Sequence, residues 1–283
     1  MNVRKKRIVW MTGSLLFLAF CAGPKDAPTI RFPYQWLDVQ GFGGDIDKQH
    51  LTEPSGICYH AQRGTLFVVG DEGDVVEIRK DGTPVANYKI KGDLEAVTVV
   101  PETGLVYIGV EQEDVILEFD PVGGQVNRRF PINREYQGDP NFLQKQVDRY
   151  DNGIECMAFV PDPRHPEGGT FYVGNQWDPP MIMEVLVPLK TSRAAEAEAR
   201  IIRVLPLKMD DPAAMYYDPE KKLLNIVGDA DNILVEITLK GRVIKQYAFL
   251  ADNQEGLCRD DEGYLYIAQD SGGIIKVKDE RKR

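Results

Sequence analysis

The sequence predicts an all-β protein, a five-bladed β-propeller, from three observations. Five short apolar segments open alike, Ser55-Gly-Ile-Cys-Tyr, Glu95-Ala-Val-Thr-Val, Glu155-Cys-Met-Ala-Phe, Ala213-Ala-Met-Tyr-Tyr and Glu255-Gly-Leu-Cys-Arg, at intervals of 40, 60, 58 and 42 residues. Self-similarity at such a period marks propellers and solenoids. Each opening is followed by two or three further β-branched and aromatic runs bounded by Gly, Asp and Asn, the pattern of strands joined by turns. The last unit is short, and a spare strand-like segment, Thr29 to Val39, precedes the first.

The elements follow in order. In the first unit the opening leads through a polar turn, Ala61 to Gly64, to Thr65–Val69, then over Gly70–Asp74 to Val75–Ile78 and an edge strand at Val85–Ile90. The second unit repeats this with Leu105–Ile108 and Val115–Phe119, the third with Thr170–Val173 and Met181–Val185. The fourth has Leu223–Val227 and Ile233–Ile237, the fifth Tyr264–Ile267 and Ile274–Val277. Four strands per unit make a propeller blade, and a blade with two apolar faces must stack on neighbours. Letting the N-terminal segment supply the outermost strand of the last blade closes the ring and hides two sheet edges. A six-bladed ring is the alternative; it needs the extra residues between the second and fourth units to form a blade without a motif. Those residues read as insertions: a polar one over 133–151 and an Ala/Glu/Arg-rich one over 191–200, expected as a short surface helix.

Residues 1–21 lie outside the fold. Arg4-Lys-Lys-Arg is a positive n-region and Ile8 to Phe20 an apolar stretch too short for a membrane span, the pattern of an export signal. It ends in Leu18-Ala-Phe-Cys21, which resembles a lipobox and marks Cys21 for lipidation; an ordinary secretory signal cleaved nearby, or an uncleaved anchor, is the alternative, and Ala22 to Pro28 reads as a flexible tether. The expected location is therefore the cell envelope, with membrane contact only through the lipid, and the propeller (29–283) a monomer. Removing four basic residues takes the formal charge from −10 to −14. So acidic a domain repels nucleic acid, which leaves an unidentified small ligand or envelope protein as partner. The three remaining cysteines, Cys58, Cys156 and Cys258, read as small buried residues; a Cys58–Cys258 bridge is the alternative.

Aligned on their first residue, the openings read Ser55, Glu95, Glu155, Ala213 and Glu255. Innermost strands line a propeller's central channel, so Glu95, Glu155 and Glu255 are expected to point at one small volume. Carboxylates 5 to 6 Å apart repel by roughly 3 kcal/mol at an effective dielectric of 20. A divalent cation removes that repulsion, and an oxygen-only set suits Ca²⁺, then Mg²⁺. Ser55 would add a hydroxyl. The other reading is that each Glu clamps backbone amides of the neighbouring blade. A second tier of candidates sits in the loops after each second strand: Asp71, Glu72, Glu111, Trp177, Asp178, Asp229 and Asp270. They read either as a ligand-recognising rim, with Trp177 as an aromatic platform, or as turn chemistry.

The array Ser55-Gly, Leu94-Glu95, Ile154-Glu155, a small residue at 213 and Gln254-Glu-Gly256, with Leu223–Ile237 and Gly263-Tyr-Leu-Tyr-Ile267, resembles the SdiA-regulated, YjiK-like family of exported bacterial proteins. The likeness extends over nearly all of the chain after about residue 35. It implies a five-bladed, NHL-related propeller with a calcium ion at a family site and no established catalysis. Ala213 departs from the pattern, where Ser or Gly is usual. The functional expectation is a non-catalytic binding or scaffold protein. The alternative is a metal-dependent hydrolase of the lactonase or phytase type, although no Gly-x-Ser-x-Gly nucleophile motif is present and His50, His60 and His165 lack zinc spacing.

Overall fold

The computed structural model describes residues 28–35, 44–143, 153–176, 180–249 and 253–281. The export signal, Cys21 and all of the tether but Pro28 lie outside these residues. Every regular element among the described residues is a β-strand.

Three short strands come first: β1 (Thr29–Arg31), β2 (Tyr34–Gln35) and β3 (Gly44–Asp45). Repeated antiparallel units follow. The first is β4 (Pro54–His60), β5 (Thr65–Gly70), β6 (Asp74–Arg79) and β7 (Pro84–Lys89); the second is β8 (Leu94–Val100), β9 (Leu105–Val110), β10 (Val115–Asp120) and β11 (Gln125–Asn133). The third comprises β12 (Ile154–Pro161), β13 (Gly169–Asn175), β14 (Met181–Leu186) and β15 (Ala199–Val204). The fourth is β16 (Pro212–Asp218), β17 (Leu223–Gly228), β18 (Ile233–Thr238) and β19 (Val243–Ala248), and the last β20 (Gln254–Arg259), β21 (Tyr264–Gln269) and β22 (Ile274–Asp279).

The first strand of each unit contacts that of the next, and β20 contacts β4. Apolar side chains pack between neighbouring units rather than in one central core. Phe67, Val69 and Val75 meet Leu94, Val106 and Ile108, and Leu66, Val68 and Ile78 meet Tyr266, Ala268 and Ile274 across the last and first units. This packing buries both faces of the inner strands, which is why they read as continuous apolar runs instead of alternating ones. It also requires small residues where first strands abut: a Cβ on Gly56 would stand 2.5 Å from the Glu95 carbonyl oxygen.

The N-terminal segment divides its pairing in a way the sequence reading did not foresee. β1 runs parallel to β19, with Ile30 opposite Tyr247, and so extends the fourth unit. β2 and β3 pair antiparallel with β22 of the last unit, Tyr34 opposite Asp279 and Asp45 opposite Ile275. Phe32, between them, is buried edge-on against Tyr247 and Phe249, and this anchor fixes the division. The helix expected over 191–200 is absent. Ala195 O accepts from Arg129 N–H and Ala197 N–H donates to Arg129 O, so the segment lies along β11, and Ala199–Val204 pairs with β14. Backbone bonds to an open strand edge outweigh the few tenths of a kcal/mol per residue of Ala/Glu helix preference. Cys58, Cys156 and Cys258 are free and buried. Cys58 packs with the second unit and Cys258 with the first-to-last interface, so the two thiols sit in different apolar layers.

Candidate functional site

One irregularity recurs in all five first strands. The register to the second strand shifts between Pro54 and Gly56, Leu94 and Ala96, Ile154 and Cys156, Pro212 and Ala214, and Gln254 and Gly256. The residue left out of each ladder is Ser55, Glu95, Glu155, Ala213 or Glu255. A β-bulge re-aims the side chain of its extra residue. The five aligned openings are therefore five equivalent bulges.

Ser55, Glu95, Glu155 and Glu255 line one cavity of about 250 Å³, together with Asp71, Asp93, Glu111, Gln176 and Asp270. Seven of these nine lining residues are carboxylates and none is a cation. Carboxylates elsewhere in the repeats are treated differently. On the third strands Glu77 receives Arg63 at 2.8 Å, Glu118 is paired with Arg128, and Glu184 lies 2.6 Å from Arg203. Glu236 takes Lys221 at 3.2 Å and Arg281 at 3.0 Å. These paired carboxylates hold the blades, whereas no cation stands among the described residues that line the cavity.

The tightest convergence is Asp71, Asp93 and Glu95, whose carboxylate oxygens lie within 4.8 Å of one another. The Ser55 hydroxyl donates to Asp71 Oδ1. Gln112 Nε2 donates to Asp93 Oδ2 at 3.0 Å, and Asp93 Oδ1 is buried without a hydrogen-bond partner. Burial, followed by the fields of Glu155, Asp71 and Asp93, raises the Glu95 carboxyl well above the usual range. Burial and then the Glu111 charge do the same for Glu155. Glu255 is pushed up to about 8, first by burial and then by Asp229, Asp211, Asp270 and Asp71. Asp93 and Asp270 are also raised, chiefly by burial. Without a counter-ion the cavity holds protons at neutral pH to relieve like-charge repulsion.

Of the residues singled out in the sequence, Ser55, Glu95, Glu155, Glu255, Asp71, Glu111 and Asp270 are brought together. Asp229 lies beside this group as a clamp, its Oδ1 accepting the Gln254 N–H at 2.9 Å. Glu72 is exposed and does not line the cavity. Trp177 and Asp178 lie outside the described residues. Asp93 and Asp211 escaped the sequence reading. Both stand two residues before an opening, at the place occupied elsewhere by Glu53, Gly153 and Asn253. Backbone bonds mark the place: Glu111 N–H donates to Asp93 O at 3.0 Å, Gln176 to Gly153 O, Asp229 to Asp211 O and Asp270 to Asn253 O. Extending the alignment by two residues finds both aspartates, and Asp211 supplies negative charge in the unit where Ala213 supplies none.

Below the bulges, the third places of the openings, Ile57, Val97, Met157, Met215 and Leu257, close the space between the strands. The gap of about 10 Å³ left there is at the limit of holding one water molecule.

These features define a β-propeller whose central space ends, on one side, in a carboxylate-lined cavity. The chain belongs to the SdiA-regulated family, whose model matches residues 37–272. Its fold is similar to that of Myxococcus xanthus glutaminyl cyclase, with a TM-score of 0.58 and 9% identity, covering 89% of this chain and 98% of that one. Weaker likenesses are to Kuenenia stuttgartiensis hydrazine synthase (TM-score 0.45, 17% identity, 79% of this chain and 58% of that one) and to a Bacteroides caccae protein of unknown function (TM-score 0.47, 14% identity, 76% and 70%). At such identities the glutaminyl cyclase likeness speaks to the fold alone.

Proposed function

We propose that this is an exported, Cys21-anchored propeller of five blades, closed by its N-terminal segment, that binds a divalent cation in the carboxylate cavity and serves as a binding or scaffold protein of the cell envelope. The observation that carries the cation is the approach of Asp71, Asp93 and Glu95 oxygens to within 4.8 Å with no cation among the described residues that line the cavity. The donor set fits: it is all oxygen, as Ca²⁺ and Mg²⁺ require, and hydroxyl and amide groups orient the carboxylates from behind. Calcium is the better match, because seven carboxylates of differing reach suit its 6–8 flexible ligands more than a strict octahedron. Glu155 and Glu255 complete the charge around the site. The five-blade count is supported by the five bulges and by the inter-unit cores.

Calorimetric titration with Ca²⁺ tests the site. Wild type is expected to bind one ion and Asp93→Asn to bind at least tenfold more weakly; equal affinity would contradict a shared site. A hydrolase is the second reading, favoured by Glu255, whose raised carboxyl is poised near neutral pH as a general acid or base requires. A bound ion there would polarise a substrate oxygen and activate water. Lactone, aryl-ester and phosphate-ester panels with and without EDTA separate the two: metal-dependent turnover supports the enzyme, whereas a chelation-sensitive melting temperature without turnover supports the scaffold.

A further inference from the structure

The openings carry a second pattern on the far side of the aliphatic plug. Beyond the bulge side chains alternate along the strand, so places three and five of each opening face the same way. Place one gives the carboxylates and place three the plug. Place five reads Tyr59, Val99, Phe159, Tyr217 and Arg259. These five line a second cavity of about 260 Å³, and Pro101, Pro161 and Pro219, two residues further on in three units, form its rim. The plug separates it from the acidic cavity.

We infer that this second mouth is a binding site for a small carboxylate with an apolar tail, such as a medium-chain acyl acid. The volume is a little under the roughly 300–1,000 Å³ of drug-sized sites, which suits a small molecule, and the walls are the mixture of aromatic and aliphatic groups that such sites use. Arg259 decides the charge of the ligand. Among the described residues of the lining it is the one that is permanently charged, on a protein with an excess of acidic groups. Its guanidinium is incompletely used. Nε lies 3.3 Å from Asp279 Oδ2 but is buried without a hydrogen bond, and the Asp279 oxygens already accept from Arg281 Nε at 3.0 Å and Nη2 at 2.8 Å. An arginine carries five donors in a fork that matches a carboxylate. Arg259 donates no hydrogen bond among the described residues and its side chain is 14% exposed, so the guanidinium has donors beyond the buried Nε for an anion entering the mouth.

Pro101, Pro161 and Pro219 stiffen the rim, which lowers the ordering cost of binding.

The test uses octanoate, octanol and octylamine on the mature chain, followed by calorimetry and by the methyl resonances of ¹³C-labelled methionines. Octanoate is expected to saturate one site, at least tenfold more tightly than octanol or octylamine. It should shift the Met215 methyl, in the cavity wall, and leave those of Met181 and Met183, in the core between the second and third units, unmoved. Arg259→Gln should lower octanoate affinity to the octanol level, and Val99→Trp, which fills the cup, should abolish it. Octanoate binding should be the same in EDTA and in calcium, so its outcome is independent of the cation site. Octylamine binding as tightly as octanoate, a saturable octanoate site that leaves Met215 unmoved, or unchanged affinity in Arg259→Gln each overturns the inference. If either variant does not fold, the wild-type comparison of the three octyl compounds and the Met215 shift decide it.

Discussion

Replacing Glu255 by Gln should stabilise the ion-free protein, and by an amount that depends on pH. Glu255 sits on a bulge of β20, half-buried in the field of Asp229, Asp211, Asp270 and Asp71, and its carboxyl is pushed up to about 8 from the usual 4.5. Between these values the folded protein holds a proton that the unfolded chain has released. Stability therefore falls as pH rises from about 4.5 to 8 and is insensitive to this group below that window. The gap from 4.5 to pH 7, at 1.36 kcal/mol per pH unit, amounts to about 3 kcal/mol. Gln keeps the size and a hydrogen-bond donor but never charges, so Glu255→Gln should gain up to about 3 kcal/mol at pH 7 and close to nothing at pH 4. For a domain of this size the pH 7 gain corresponds to roughly 6–10 °C in melting temperature. Thermal and denaturant unfolding in EDTA at pH 4, 5.5, 7 and 8 provides the measurement, with exposed Glu72→Gln as control. A gain of less than about 1 kcal/mol at pH 7, or one of equal size at pH 4, would refute the argument that an uncompensated carboxylate is held there.

Calcium affinity should rise with pH, because the raised carboxyls of Asp93, Glu95 and Glu155 must lose protons to bind the ion; titration at pH 5, 7 and 8 checks this, and flat affinity opposes it. Arg281→Met should cost about 3–5 kcal/mol in denaturant unfolding, since it leaves Glu236 and Asp279 buried beside Asn225 and Tyr216 with their shared cation gone. Phe32→Ala should cost about 3–5 kcal/mol and loosen β1 and β2, raising amide exchange in β19 and β22 before other strands. Thiol reagents should find Cys58, Cys156 and Cys258 unreactive until unfolding, and dithiothreitol should leave the melting temperature unchanged.

The all-β repeat and the cation candidates were legible because each bulge residue opens an apolar segment, so register and chemistry coincide at Glu95, Glu155 and Glu255. Asp93 and Asp211 were hidden because they precede the strands, where acidic residues also serve as ordinary turn formers. The loop tier divided for a similar reason: Asp71 and Asp270 face the cavity, Asp229 clamps Gln254, and Glu72 faces solvent, a difference of side-chain direction that composition does not carry. The N-terminal segment announced strand character but not its partner, which the burial of Phe32 between two blades decides. The Ala/Glu-rich stretch over 191–200 misleads because an exposed strand edge nearby offers its backbone better bonds than a short surface helix could. The second mouth carries no motif of its own, although its five inner residues are the last letters of the same five openings.

The central claim is that the bulge residues gather carboxylates for one cation. A crystal of the mature protein grown in calcium, with anomalous diffraction data, tests it most directly. The account predicts a single anomalous peak in the cavity, about 2.3–2.6 Å from oxygens of Asp71, Asp93 and Glu95. A cavity holding only water at saturating calcium, or an ion bound solely elsewhere on the molecule, would contradict it.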